Sequence, residues 1–179
     1  RDSNMTYSFA NGGNDQYAFK TLSKWAGVMN QKSVPEASYP YQLDQEKTTY
    51  TFKAEDVSYI LTGQKYINMK ERDLVKQAII ENGAVSTIYT TNQKRSDKYV
   101  YYSVPTGSGH EVTIVGWDDN IDKSLFAANG YETPPGNGAW LIKNSWGSSA
   151  GNNGYFWMSY YESSIQNMNA VIYEIVPAD

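Results

Sequence analysis

The sequence predicts an α+β fold, and three observations carry the prediction. Apolar residues recur at helical spacing in two stretches, both in the first half of the chain. From Ala84 onward, six stretches are rich in Val, Ile, Thr or aromatic residues and are bounded by Gly, Asn or Pro, as strands are. Helices first and strands afterwards is the order of an α+β chain.

The first helix is expected within "NGGNDQYAFKTLSKWAG". Asn14 or Asp15 can cap it, Ala18, Leu22 and Trp25 share a face, and Gly27 ends it. "VPEASYPYQ", Val34 to Gln42, carries two prolines and reads as extended chain, and "TTYTFKAEDVSYI" reads as a strand. The second helix lies in "NMKERDLVKQAIIENG", with Leu74, Val75, Ala78 and Ile79 on one face, Glu71 near its start and Asn82-Gly83 at its end. Then come "AVSTIYT", "KYVYYSV", "EVTIVGW", "AWLIKNSW", "GYFWMSYY" and "AVIYEIV", expected to form a twisted antiparallel sheet curled toward a barrel. The connection from Asp118 to Gly138 is longer than most hairpin loops and reads as a surface excursion. If its flanking strands pair with Val115 opposite Ala139, the same register sets His110 opposite Asn144.

Bulk properties narrow the function. At 20.2 kDa the chain can build one hydrophobic core or two lobes sharing an interface. No apolar run approaches the roughly 20 residues that a spanning helix needs. Fifteen Lys and Arg against nineteen Asp and Glu, with no basic cluster, argue against a nucleic-acid partner. The absence of cysteine excludes disulfides, thiolate metal sites and a thiol nucleophile within this chain. The start at Arg1-Asp2, with no initiator Met or apolar leader, reads as a boundary made either by natural processing or by artificial truncation.

The chemistry-bearing candidates are His110, the single histidine, in "GHEVTIVGWDD", and Asn144 in "AWLIKNSWG". A lone histidine on an apolar strand is ordinarily structural. Together, however, "GHEVTIVGW", "WLIKNSWG" and "GNNGYFWMSY" resemble the carboxy-terminal half of the papain-like cysteine peptidases, and the lack of cysteines leans toward the bacterial branch. "NGG", "SYPYQ" and "LVKQAIIENGAVSTIY" extend the resemblance over nearly the whole chain.

The resemblance implies a two-lobed α+β papain-like fold, with residues 1–55 the remainder of a helical left lobe and 56–179 an antiparallel, barrel-like right lobe. His110 then matches the catalytic histidine, Asn144 the residue that orients it, and Trp146 the indole that shields their contact. Gly12, Gly13, Asn14 and Gly109 match substrate-binding positions. Trp140, Trp157 and most tyrosines read as core, and Gly138, Gly147 and Gly154 as turn residues. Two departures stand out: Ala150-Gly151 replaces a common Trp-Gly pair, and Glu111, after the histidine, should point to the opposite face. The acidic run Asp118, Asp119, Asn120, Asp122 lacks EF-hand spacing and reads as a solvated turn.

Papain-like spacing puts the cysteine about 130–150 residues before the histidine, so it would lie upstream of Arg1. The expected function is therefore the His/Asn-bearing chain of a cysteine endopeptidase, with its partner a Cys-bearing amino-terminal chain of the same precursor and its substrate a peptide or protein. No cofactor or metal is expected. The alternative is a catalytically inactive papain-like binding or scaffold module. Secretion or surface display is expected from the resemblance alone, and proteolytic processing and a heterodimeric state from the two-piece reading.

Overall fold

The structure, a computed structural model, describes residues 15–22, 28, 57–91, 98–101, 103–104, 106–127 and 132–178. Contacts divide the chain into two units, Arg1–Gly63 with Tyr173–Asp179, and Gln64–Ile172. Two strands, β1 (Tyr59–Asn68) and β7 (Asn169–Pro177), have residues in both.

In the first unit, helix α1 spans Asp15–Thr21, with Asp15 in its first turn and Lys20 in its last, both favourable to the helix dipole. The expected end at Gly27, like the stretch "VPEASYPYQ", lies outside the described residues. Val28 bridges antiparallel to Tyr59, donating its N–H to the Tyr59 carbonyl at 2.8 Å. The Thr62 hydroxyl donates to the Glu174 carbonyl at 3.1 Å. Of the stretch 48–60 expected as a strand, residues 48–56 lie outside the described residues; β1 starts at Tyr59 and runs through Gly63 to Asn68. A Cβ at Gly63 would collide with the Glu174 carboxylate, so the glycine there admits a neighbouring side chain and does not break the strand.

The second unit holds helix α2 (Arg72–Asn82) and strands β2 (Val85–Thr90), β3 (Tyr99–Val100), β4 (Gly109–Asp118), β5 (Ala139–Lys143) and β6 (Tyr155–Ser159). Helix α2 stops where Gly83 takes φ +81° and returns its N–H to the Ile79 carbonyl at 2.8 Å. Val75, Ala78 and Ile79 are buried, but Leu74, expected beside them, is 57% exposed. At 100° per residue Leu74 lies about 90° from the centre of the buried arc, where the apolar face ends.

Within this unit the strand order is β7-β2-β4-β5-β6-β3. The pairs are antiparallel except β3–β6, where Tyr99 and Val100 run parallel to Trp157 and Met158, a departure from the all-antiparallel sheet expected. The core joins Val75 of α2 to Val85, Ile114, Trp140, Ile142, Met158 and Ile165. The long connection after β4 is not wholly at the surface. Its 3-10 turn, Lys123–Ala127, buries Phe126 in a smaller cluster with Tyr101 and Ala139.

The register of β4 on β5 also differs from expectation. Asp118, not Val115, faces Ala139; Trp117 faces Trp140, and a bulge between Ile114 and Gly116 shifts the ladder so that Ile114 faces Ile142 and Thr113 faces Lys143. One extra residue in β4 absorbs the mismatch and bends the strand. His110 is therefore not directly opposite Asn144, which follows the last paired residue of β5.

Candidate active site

His110 is the second residue of β4, and its register partner on β2 is Tyr89. The Tyr89 ring is 1% exposed and meets the imidazole edge-on, centroids 5.9 Å apart and planes at 68°. On another side the Trp146 indole stacks on the imidazole at 4.8 Å and 24°. The ring is thus half-buried between two aromatic groups, one fully packed and one partly open to solvent.

Asn144 reaches this ring from the turn after β5. The distance from His110 Nε2 to Asn144 Oδ1 is 2.9 Å, and the Ser145 N–H donates to the same oxygen at 2.8 Å. A backbone N–H can only donate, so the atom facing it is the amide oxygen; that oxygen can only accept, so Nε2 carries the proton. In the neutral ring Nδ1 then bears the lone pair. The pair sets a tautomer and an orientation together.

The turn is built for this placement. The Asn144 N–H donates to the Gly154 carbonyl at 2.9 Å, and the Gly154 N–H donates to the Ala150 carbonyl at 2.7 Å. Gly147, Gly151, Asn153 and Gly154 all have positive φ, from +54° to +88°. At Gly154 an added Cβ would lie 3.2 Å from the Gly147 carbonyl oxygen. Here glycine is needed both for its conformation and for close backbone approach.

Of the other positions singled out by the sequence, Gly109 is exposed next to His110, whereas Gly12, Gly13 and Asn14 lie outside the described residues. Trp140 is 1% exposed and belongs to the main core; Trp157 packs against the smaller cluster. Glu111 accepts a hydrogen bond from the Ser86 hydroxyl at 2.7 Å. Asp118 and Asp122 accept turn N–H groups from Asn120 and Ser124, at 2.8 and 2.7 Å. Among the described residues, no group of three His, Cys, Asp or Glu is placed to hold a metal ion.

Sequence reasoning missed Tyr89, Gly154 as the carbonyl that holds Asn144, and the buried residues Glu162 and Ser164. The Tyr89 contact follows from the β2–β4 register, which no hydrophobic pattern specifies residue by residue. For Gly154 the signal was present, a glycine-rich turn directly after the asparagine, but its partner was not.

A histidine at a strand start, oriented by a neighbouring carboxamide and covered by an indole, is chemically able to exchange a proton at its other ring nitrogen. The family model for the papain family of cysteine proteases matches residues 3–175. The chain belongs to that family, and its fold is papain-like, of the α+β class. It is 31% identical over 126 residues to mouse (Mus musculus) cathepsin S, covering 69% of this chain and 33% of that protein. To a cathepsin L-like peptidase of Aedes aegypti it is 27% identical over 154 residues, 83% of this chain and 40% of that protein. Among solved structures, the clostridial cysteine protease Cwp84 after propeptide cleavage superposes with TM-score 0.73 at 28% identity, covering 94% of this chain and 42% of that one. A second structure, of the protease and lectin-like domains of Cwp84, a surface layer associated protein of Clostridium difficile, gives 0.68 at 29% identity, covering 90% and 36%. The chain thus spans less than half the length of these relatives.

Proposed function

We propose that this chain is the His/Asn-bearing part of a papain-like cysteine endopeptidase whose thiol is supplied by a polypeptide segment outside it. The observation that carries the reading is the 2.9 Å contact between His110 Nε2 and Asn144 Oδ1 beneath Trp146, which leaves Nδ1 as the nitrogen for proton exchange with a thiol. In that reading His110 Nδ1 takes the thiol proton. The thiolate attacks the peptide carbonyl and forms a carbon–sulfur bond; the carbon–nitrogen bond breaks as the imidazolium gives its proton to the leaving amine. Water then attacks the thioester, losing a proton to the imidazole; the carbon–sulfur bond breaks, the imidazolium returns its proton to the sulfur, and the acid leaves with the thiol regenerated. Asn144 holds the ring in the tautomer both steps need, and Trp146 keeps water from competing for its oxygen.

The whole protein's arrangement belongs to the same proposal: a Cys-bearing segment of the same precursor, held non-covalently after processing, in a secreted or surface-displayed enzyme acting on peptide bonds. Substrate contacts are assigned to Gly12, Gly13, Asn14 and Gly109, and residues 1–55 and 56–179 to the two lobes. One fact favours a second reading, a binding module without catalysis: the chain has no cysteine. The test is to isolate the native protein and treat it with a thiol-directed inhibitor. Labelling of a companion polypeptide, with activity lost in parallel, is the expected result. Active protein of one chain by intact mass defeats the two-piece proposal, and native protein that neither cleaves peptides nor takes up label favours the module.

A further inference from the structure

Among the described residues Glu162 is the only carboxyl group with no exposed surface. It lies beyond β6, just before the 3-10 turn Ile165–Asn167. Its Oε2 accepts the Ser164 hydroxyl at 2.7 Å and the Ile165 N–H at 2.8 Å. Its Oε1 is buried and has no hydrogen-bond partner among the described residues. Burial pushes the Glu162 carboxyl above its ordinary range, against the pull of these bonds. A carboxyl placed this way is costly to bury, and an exposed side chain could cap the same turn without that cost.

What the buried carboxyl adds is the direction of a hydroxyl. Ser164 has one hydroxyl proton, and Glu162 accepts it, so the lone pairs of Ser164 Oγ are left for the Thr90 N–H, which donates to it at 2.8 Å. Thr90 is the last residue of β2 and sits opposite Gly109. Because the Thr91 N–H bonds across to the Ser108 carbonyl at 2.9 Å, ladder alternation makes Thr90 and Gly109 a non-hydrogen-bonded pair, and the Thr90 N–H points away from β4. Ser164 is its partner there. One residue back is Tyr89, which lies opposite His110 and presses its ring edge-on against the imidazole.

We propose that Glu162, acting through Ser164, is a positioning residue for the His110 imidazole, fixing the end of β2 from which Tyr89 holds the ring. The proposal rests on the reading of His110 as the acid–base group of a peptidase. Neither Glu162 nor Ser164 touches the imidazole itself; the relay acts by setting where the ring lies.

In the assembled enzyme, Glu162→Ala should lower kcat about tenfold with KM changed by less than about twofold, since displacement of a catalytic group by about 1 Å can cost up to about 10²-fold. Glu162→Gln keeps an oxygen at the Oε2 position and should restore kcat to within about twofold of wild type. Ser164→Ala retains the carboxyl and its bond to Ile165 and should lower kcat in the same sense, so it decides the matter if Glu162→Ala does not fold. Wild-type kcat in Ser164→Ala, a change confined to KM, or a loss that Glu162→Gln fails to restore would each overturn the relay. His110→Ala, measured alongside, separates the two levels. Retained activity there removes the reading of the site, whereas an inactive His110→Ala beside an unaltered Ser164→Ala removes only the relay.

Discussion

At one end of β4, His110, its ring stacked on Trp146, meets the Asn144 amide oxygen at 2.9 Å. At the other, Asp119 lies just past the strand and accepts the Lys76 ammonium at 2.7 Å and the Tyr160 hydroxyl at 2.8 Å. Both pairs join side chains distant in sequence, and both have aromatic neighbours: Lys76 also lies over the Tyr160 and Trp117 rings, at 5.4 and 5.9 Å. The chemistry separates them. At Asp119 opposite charges meet, and the bonds from Lys76 and then Tyr160 hold its carboxyl below the usual range, so one protonation state is favoured. At His110 the partner is an amide without net charge, which orients the ring and leaves Nδ1 to the proton exchange proposed for it. A pair of opposite charges anchors a surface; an oriented but uncharged contact suits a group that must gain and lose a proton in each cycle.

The largest test of that contrast is at the histidine. In the assembled enzyme His110→Ala should cut kcat by about 10²–10⁴-fold, the usual contribution of a positioned acid–base group, and Asn144→Ala by less. Negligible effects of both on hydrolysis of a fluorogenic peptide would remove the distinction between the two ends. Next comes the turn. Gly154→Ala must adopt φ +88° against the Gly147 carbonyl, and should cost about 1–2 kcal/mol in a denaturant melt while lowering kcat through the Asn144 anchor. Normal stability with normal turnover would show that the Gly154 carbonyl is dispensable for placing Asn144.

At the Asp119 end, Lys76→Ala should change stability by less than about 1 kcal/mol, because the Asp119 side chain is 56% exposed and water screens the pair. Turnover should be unaffected. A folded-state pKa held low gives stability that is present above the unfolded carboxylate value and lost as pH falls through the folded one. The difference between wild type and Lys76→Ala should therefore shrink in acid. Glu162 has the opposite sign: its folded pKa is raised, so its contribution is intact below the unfolded value and is lost as pH rises through the folded one. Relative to Glu162→Gln, the wild-type melting temperature should fall as pH is raised from about 4 toward neutrality, and a constant offset would contradict this assignment.

Much of the second half of the chain is legible in the sequence. The second helix ends at Gly83, where the left-handed φ is one that glycine adopts freely, and five of the six expected strands fall within a few residues of their predicted places. Their alternation of β-branched and aromatic residues is a local signal. "KYVYYSV" was less well read, since only Tyr99–Val100 is strand and it runs parallel to β6. Pairing direction depends on the neighbour, and a short run of residues does not encode its neighbour. The same limit explains the connection after β4, which reads as a surface excursion in the sequence although Phe126 within it is buried.

The sequence by itself determined the elements and the two chemical groups, because helical period, strand alternation and turn glycines are properties of adjacent residues, and because a single histidine leaves no choice of imidazole. Tertiary structure decided how those groups meet. A bulge at Val115 moves the ladder away from the expected register, yet the turn after Lys143 still carries the carboxamide of Asn144 to the imidazole. Tyr89 and Trp146 meet that ring from segments far apart along the chain. Such contacts depend on side-chain packing in three dimensions, where a shift of one residue exchanges the faces of a strand, and no local pattern in the chain fixes that shift.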